Sequence, residues 1–156
     1  MAAPPRFLGS VHTEYPDDDS IKEVTLHAVG FEISSERHVL LQWLNGTKDD
    51  VLITQVVQLT GQPGSYNYYT PVVIPCGADH NTRNQVIPVG KFAREERDQI
   101  LRLANQIQFQ RTSITNNCRV WLRELLVAMV DEKLITEAKF GEIIEIDPLQ
   151  IRQPEQ

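Results

Sequence analysis

Polar and apolar positions mix through residues 21–33, where polar residues are interspersed with Val24, Leu26, Ala28 and Phe31. This pattern predicts a first strand. The polar stretch Ser34-Ser35-Glu36-Arg37 predicts a turn, and the apolar run from His38 to Leu44 a second strand. Asn45-Gly46 opens a loop that continues through Asp50, and the Val- and Ile-rich residues 51–59 form the return strand of a hairpin. If Leu44 faces Val51, Gln55 lies on the same face as His38, one diagonal away; a slip of one residue sends it to the other face. Residues 60–84 carry Gly61, Pro63, Gly64, Pro71, Pro75 and Gly77 with Tyr66, Tyr68 and Tyr69. They predict a long covering loop with one short strand over 69–74, and loops of that length in compact domains are commonly lids or binding loops.

Residues 85–92 predict an edge strand, because Pro88 has no N–H to give to a ladder. Over 94–108, Ile100, Leu103, Ala104 and Ile107 share one helical face, and Arg94, Glu95, Arg97, Asp98 and Arg102 line a solvated one. Residues 120–130 are rich in Leu, Val, Ala and Met and lack Gly and Pro, which predicts a strong, largely buried helix. A shorter helix over 131–140 ends at Gly141. The first 20 residues, with three prolines past residue 3 and Asp17-Asp18-Asp19, predict a flexible or loosely docked arm. Residues 148–156 predict a frayed polar tail. The expected architecture is one α+β domain over 21–147, a small antiparallel sheet packed against a helix.

The 156 residues suffice for a hydrophobic core, and 41% hydrophobic with 23% charged residues is ordinary for a globular chain. The net charge of −6 argues against nucleic acid as a partner, since that needs a basic face. No segment approaches the roughly 18 apolar residues of a membrane span. Two cysteines, Cys76 and Cys118, are too few for a disulfide framework. With no secretory pattern at the start, the expectation is a cytoplasmic protein with free thiols. His12 in the arm and His27 on a strand surface read as solvated. Cys76 with His80 is half of a metal-ligand set at best, so neither a metal nor another cofactor is expected.

Cys118 changes the picture. Asn116 and Asn117 suit a helix N-cap, and a cysteine on the first turn feels the positive end of the helix dipole, which favours thiolate. An imidazole beside it would complete the minimal pair for nucleophilic catalysis, and His38, at the start of a strand, is placed to supply one. The competing interpretation is that Cys118 is a small core residue, since it shares a helix face with Leu122, Leu125 and Met129.

Two stretches, His38-Val39-Leu40-Leu41-Gln42-Trp43-Leu44-Asn45-Gly46 and Asn116-Asn117-Cys118-Arg119-Val120-Trp121-Leu122, are similar to the base and nucleophile motifs of the circularly permuted NlpC/P60-like, papain-like thiol hydrolases. The chain resembles a divergent relative of their lecithin:retinol acyltransferase-like branch over roughly residues 21–130. Arg119-Val120 stands where that branch has Glu-His, and its second histidine has no counterpart. The resemblance implies Cys118 as nucleophile, His38 as general base and Gln55 as the group orienting the imidazole, with Asp50 next in line. Trp43, Tyr66, Tyr68, Tyr69, Asn117 and Trp121 are the candidate substrate contacts. The implied partner is a small-molecule or peptide-like carbonyl compound, attacked at an amide, ester or thioester. The alternative is a disabled or repurposed member of the fold that binds a small molecule or a protein. The oligomeric state is left open.

Overall fold

The computed structural model describes residues 9–77 and 80–156. The α+β class and the antiparallel sheet are as expected. Five strands form one antiparallel sheet: β1 (Lys22–Ala28), β2 (Val39–Lys48), β3 (Val51–Val57), β6 (Val72–Cys76) and β7 (Gln85–Phe92), in the order β6-β3-β2-β1-β7. β4 (Leu59–Gln62) and β5 (Ser65–Tyr68) form a separate two-stranded ribbon. The helices are the single turn α1 (His80–Arg83), then α2 (Arg94–Gln106), α3 (Cys118–Asp131) and α4 (Glu137–Ile146). Alternation along the strands sends Val24, Leu26 and Ala28 of β1 and Val39, Leu41 and Trp43 of β2 to the main core. There they meet Ile100, Leu103 and Ala104 of α2 and Trp121, Leu122, Leu125, Leu126 and Met129 of α3. A second, smaller cluster gathers Leu40, Val56 and Val72, with Tyr69 and Ile74 packed against it.

The hairpin departs from expectation in a way that matters for the site. β2 does not end at Asn45-Gly46 but runs on to Lys48. The turn is Asp49-Asp50, both at positive φ (51° and 65°), the two-residue turn whose twist matches that of the strands. Short aspartate side chains tolerate this left-handed region better than most. An irregularity between Leu44 and Gly46 leaves Asn45 unpaired. Together these place Leu41 opposite Val57, three residues further along β3 than a Leu44–Val51 pairing would.

The predicted long loop is mostly ordered strand. β4 and β5 meet in a tight hairpin whose Gly61 and Gly64 have positive φ (108° and 88°). A side chain at Gly61 would collide with the Ser65 carbonyl oxygen. The ribbon is fixed from outside by Gly64 N–H donating to Ser113 O and Tyr66 N–H to Arg111 O, both at 2.8 Å. The Cys76 thiol pairs with Thr54 Oγ1 at 3.1 Å, and the His80 side chain, the other half of the metal reading, lies outside the described residues.

Both ends of the chain, expected to be loose, are tied down where described. Val11 N–H donates to Val73 O at 2.8 Å, and Val73 N–H donates to Ser10 Oγ at 3.0 Å. Asn45 Nδ2 reaches Tyr15 O at 2.9 Å. Arg97, assigned by periodicity to a solvated face, is 0% exposed. Its Nε and Nη2 both grip the Asp17 carboxylate at 2.9 Å, and its remaining N–H groups go to the carbonyls of Asp18, Ser20 and Phe92. A fully paired guanidinium fits inside because no donor is stranded. At the other end, Asn116 Nδ2 donates to Gln153 O and Gln153 N–H donates to Asn116 Oδ1, both at 2.8 Å. Glu155 accepts from Ser113 Oγ and Asn116 Nδ2, and Arg152 grips Glu124.

Burial pushes the Asp17 carboxyl up, but Arg97 and Lys22 more than offset this and hold it at about 2. A depressed carboxyl contributes stability above the ordinary value of 3.8 that is lost as pH falls towards about 2. Asp17→Asn should therefore destabilise the protein at pH 7 by about 3 kcal/mol, because Arg97 is left buried without its counter-charge. It should also flatten the loss of stability between pH 4 and pH 2, read from urea unfolding midpoints across that range. A variant with wild-type slope there would show that Asp17 does not carry the acid sensitivity.

Candidate functional site

The site forms where the start of α3 meets the start of β2. Asn117, extended at φ −109°, is the N-cap of α3, and its Oδ1 accepts from Arg119 N–H at 3.0 Å and Val120 N–H at 3.3 Å. Its Nδ2 donates to Ser35 O at 2.9 Å, in the turn just before His38. One side chain thus starts the helix and fastens it to the loop that carries the histidine. Cys118 is the first helical residue and is buried, with its thiol towards His38. The His38 ring lies close enough to the Cys118 thiol for each to shift the other's titration, and its Nε2 meets Gln58 Oε1 at 2.7 Å. A carbonyl oxygen accepts only, so Nε2 carries a proton.

The electrostatics follow from this contact. Burial alone would raise the Cys118 thiol; the hydrogen bond and charge of His38, the Val39 N–H and the Arg119 charge overcome it and bring the thiol below its ordinary value. Burial alone would lower His38; the bond to Cys118, its charge and the bond to Gln58 hold the imidazole above its ordinary value. The two shifts favour a thiolate–imidazolium pair. Tyr66 is raised by burial and by the charge of Cys118, which it faces from β5.

A cleft of about 860 Å³ opens over the pair. Its walls are Ser35 and Glu36 before β2, the β4–β5 ribbon at Gly61, Gln62, Pro63 and Tyr66, the run into α3 at Ile114, Thr115 and Asn117, and the C-terminal segment at Leu149, Gln150, Ile151 and Gln153. The tail is therefore part of the site. The described residues hold no group of three His, Cys, Asp or Glu side chains able to bind a metal.

Of the residues singled out in the sequence, Cys118 and His38 meet, and Tyr66 and Asn117 line the cleft. Gln55 does not reach His38. It is buried within the sheet, with Nε2 donating to Val72 O at 3.1 Å and Val56 O at 3.3 Å. The partner of the imidazole is Gln58, because the two-residue turn and the irregularity at Asn45 move the ladder by three positions. Asp50 sits in the turn at the far end of the hairpin. Trp43, Tyr68 and Trp121 are core residues, Tyr68 and Trp121 stacking with ring centroids 5.2 Å apart. Tyr69 belongs to the smaller cluster. Gln58, the tail wall and the buried Arg119 are site features that hydrophobic periodicity does not reveal. The one available signal is that Arg119 shares a helical face with Leu122 and Leu126. Compared with known proteins, the chain matches no family model, no curated protein and no solved structure.

Alkylation by iodoacetamide tests the pair directly. In a Cys76→Ser background, the rate at Cys118 should rise with pH through an apparent pKa below the ordinary thiol value. In His38→Ala burial is less opposed, so that pKa should move up and the rate at pH 7 fall on the order of tenfold for each unit. An unchanged profile in His38→Ala would make Cys118 a structural thiol.

Proposed function

We propose that the protein is a papain-like cysteine hydrolase or acyl-transfer enzyme of the circularly permuted NlpC/P60-like type. The observation that carries this reading is the meeting of Cys118, at a helix N-terminus, and His38, whose Nε2 is held by Gln58 Oε1 at 2.7 Å, in one open cleft. The order of parts supports it, with the base at the head of a strand and the nucleophile later, at the head of the helix packed on that sheet. Gln58 takes the orienting role, a neutral substitute for the histidine of the acyltransferase-like branch.

The chemistry follows from the groups present. The Cys118 thiolate attacks the carbonyl carbon, forming a C–S bond while the carbonyl π pair moves to oxygen. The Cys118 N–H, which Asn117 leaves uncapped, lies at the helix start where it can stabilise that oxyanion. Collapse breaks the bond to the leaving nitrogen, oxygen or sulfur, which takes the proton from His38. A water or amine then gives its proton to His38 and attacks the thioester, and Cys118 leaves as thiolate. Among the described residues that line the cleft, Glu36 is the only carboxylate and there is no lysine or arginine. An acyl donor without negative charge suits this lining best.

Incubation with p-nitrophenyl acetate should release a burst of nitrophenolate matching the enzyme concentration and leave one acetyl group on Cys118, located by peptide mass spectrometry. Cys118→Ala should show neither, and His38→Ala should slow acylation on the order of 10²–10⁴-fold. Acetylthiocholine should acylate faster than an anionic succinyl thioester of matched reactivity, with the gap narrowed in Glu36→Gln. A folded wild-type protein that never acylates at Cys118 would overturn the enzyme reading in favour of a binding module.

A further inference from the structure

Cys118 and His38 are 80 positions apart in the chain, yet the residues adjoining them share one carboxylate. Arg119 directly follows the cysteine and Arg37 directly precedes the histidine. Asp147, just past α4, bonds to Arg119 Nη2 at 2.6 Å and Nη1 at 3.1 Å, and lies 3.9 Å from Arg37 Nη1. Arg119 Nη1 also donates to the Arg37 carbonyl oxygen at 3.1 Å. Its two other contacts go to the tail wall of the cleft, Nη2 to Pro148 O and Nε to Gln150 Oε1, both at 2.8 Å. The Arg119 and Asp147 side chains are both 0% exposed. Arg37 is held separately by the carbonyls of Val29, Ala28 and Gly30 and by Gln85.

We propose that Arg119, locked by Asp147, is the positioning residue of the site: it fixes the backbone of the His38 strand and the C-terminal wall of the cleft relative to Cys118. This rests on the reading of Cys118 and His38 as a reacting pair. Five N–H groups in a rigid fork make the contacts. A lysine there would keep the positive charge but offers one nitrogen, which cannot span Asp147, the Arg37 carbonyl and Gln150 together. Positioning and simple charge therefore predict different results.

The titratable and charged groups around the Cys118 thiol are His38 just before β2, Tyr66 from β5, Arg119 on its own helix and Glu36 in the cleft wall. The test is the pH profile of iodoacetamide alkylation at Cys118 in the Cys76→Ser background, with and without His38→Ala. In Arg119→Lys the thiol pKa should rise and the rate at pH 7 fall on the order of tenfold, and adding His38→Ala should change little further. Asp147→Asn gives an opposite sign for the two ideas. Removing that negative charge leaves Arg119 and Arg37 uncompensated, so charge alone would lower the thiol pKa; loss of positioning raises it. Should Asp147→Asn fail to fold by circular dichroism, Arg119→Lys, which introduces no unpaired charge, decides. A wild-type profile in Arg119→Lys, or a lowered pKa in folded Asp147→Asn, overturns the proposal. Failure of the underlying reading is separate: there the wild type would already show no dependence on His38.

Discussion

The site depends on a buried ion pair, Arg119 with Asp147. Two charges removed from water carry a desolvation penalty of several kcal/mol each, and attraction offsets it only when geometry and hydrogen bonding are complete. Here they are: the carboxylate takes two bonds from the fork, and backbone and amide oxygens take the others. Completeness has a structural consequence. The pair fits only when the helix start, the segment before β2 and the segment after α4 are all in place. Three distant parts of the chain converge on one guanidinium, and the cleft lies where they converge.

A second arginine works the same way for the other end of the chain. Arg97 gathers Asp17, Asp18, Ser20 and Phe92 and fixes the N-terminal segment against α2. In an acidic chain the buried guanidiniums of Arg37, Arg97 and Arg119 each lie within ion-pair distance of a carboxylate, Arg37 and Arg119 sharing Asp147. Around Cys118 the balance is different. A helix start, a hydrogen-bonded imidazole and the nearby Arg119 all favour negative charge on sulfur, and burial opposes them.

Much of the scaffold was legible in the sequence, because strands and helices carry their own period. The β2–β3 hairpin, the amphipathic α2 and the apolar α3 follow from spacing, and the cysteine at a helix start follows from Asn117 beside it. What escaped was set by contacts between distant residues. Arg97 has the spacing of a surface residue and is interior because Asp17 folds back onto it. The tail has no periodicity strong enough to announce an element, and it is held by single side chains such as Asn116. Trp43, Tyr68 and Trp121 have the chemistry of ligand contacts, but their alternation and helical phase place them in the core. Register alone decides which glutamine meets His38: Gln55 and Gln58 are chemically identical, and only the position of the turn separates them.

That last feature ties the chemistry to a place far from it. Asp49 and Asp50 lie at the closed end of the hairpin, and His38 and Gln58 lie at the open end. Losing or gaining one residue at the closed end would turn every β3 side chain over and take the glutamine away from the imidazole. The length of a turn remote from the cleft thus decides which side chain the imidazole meets.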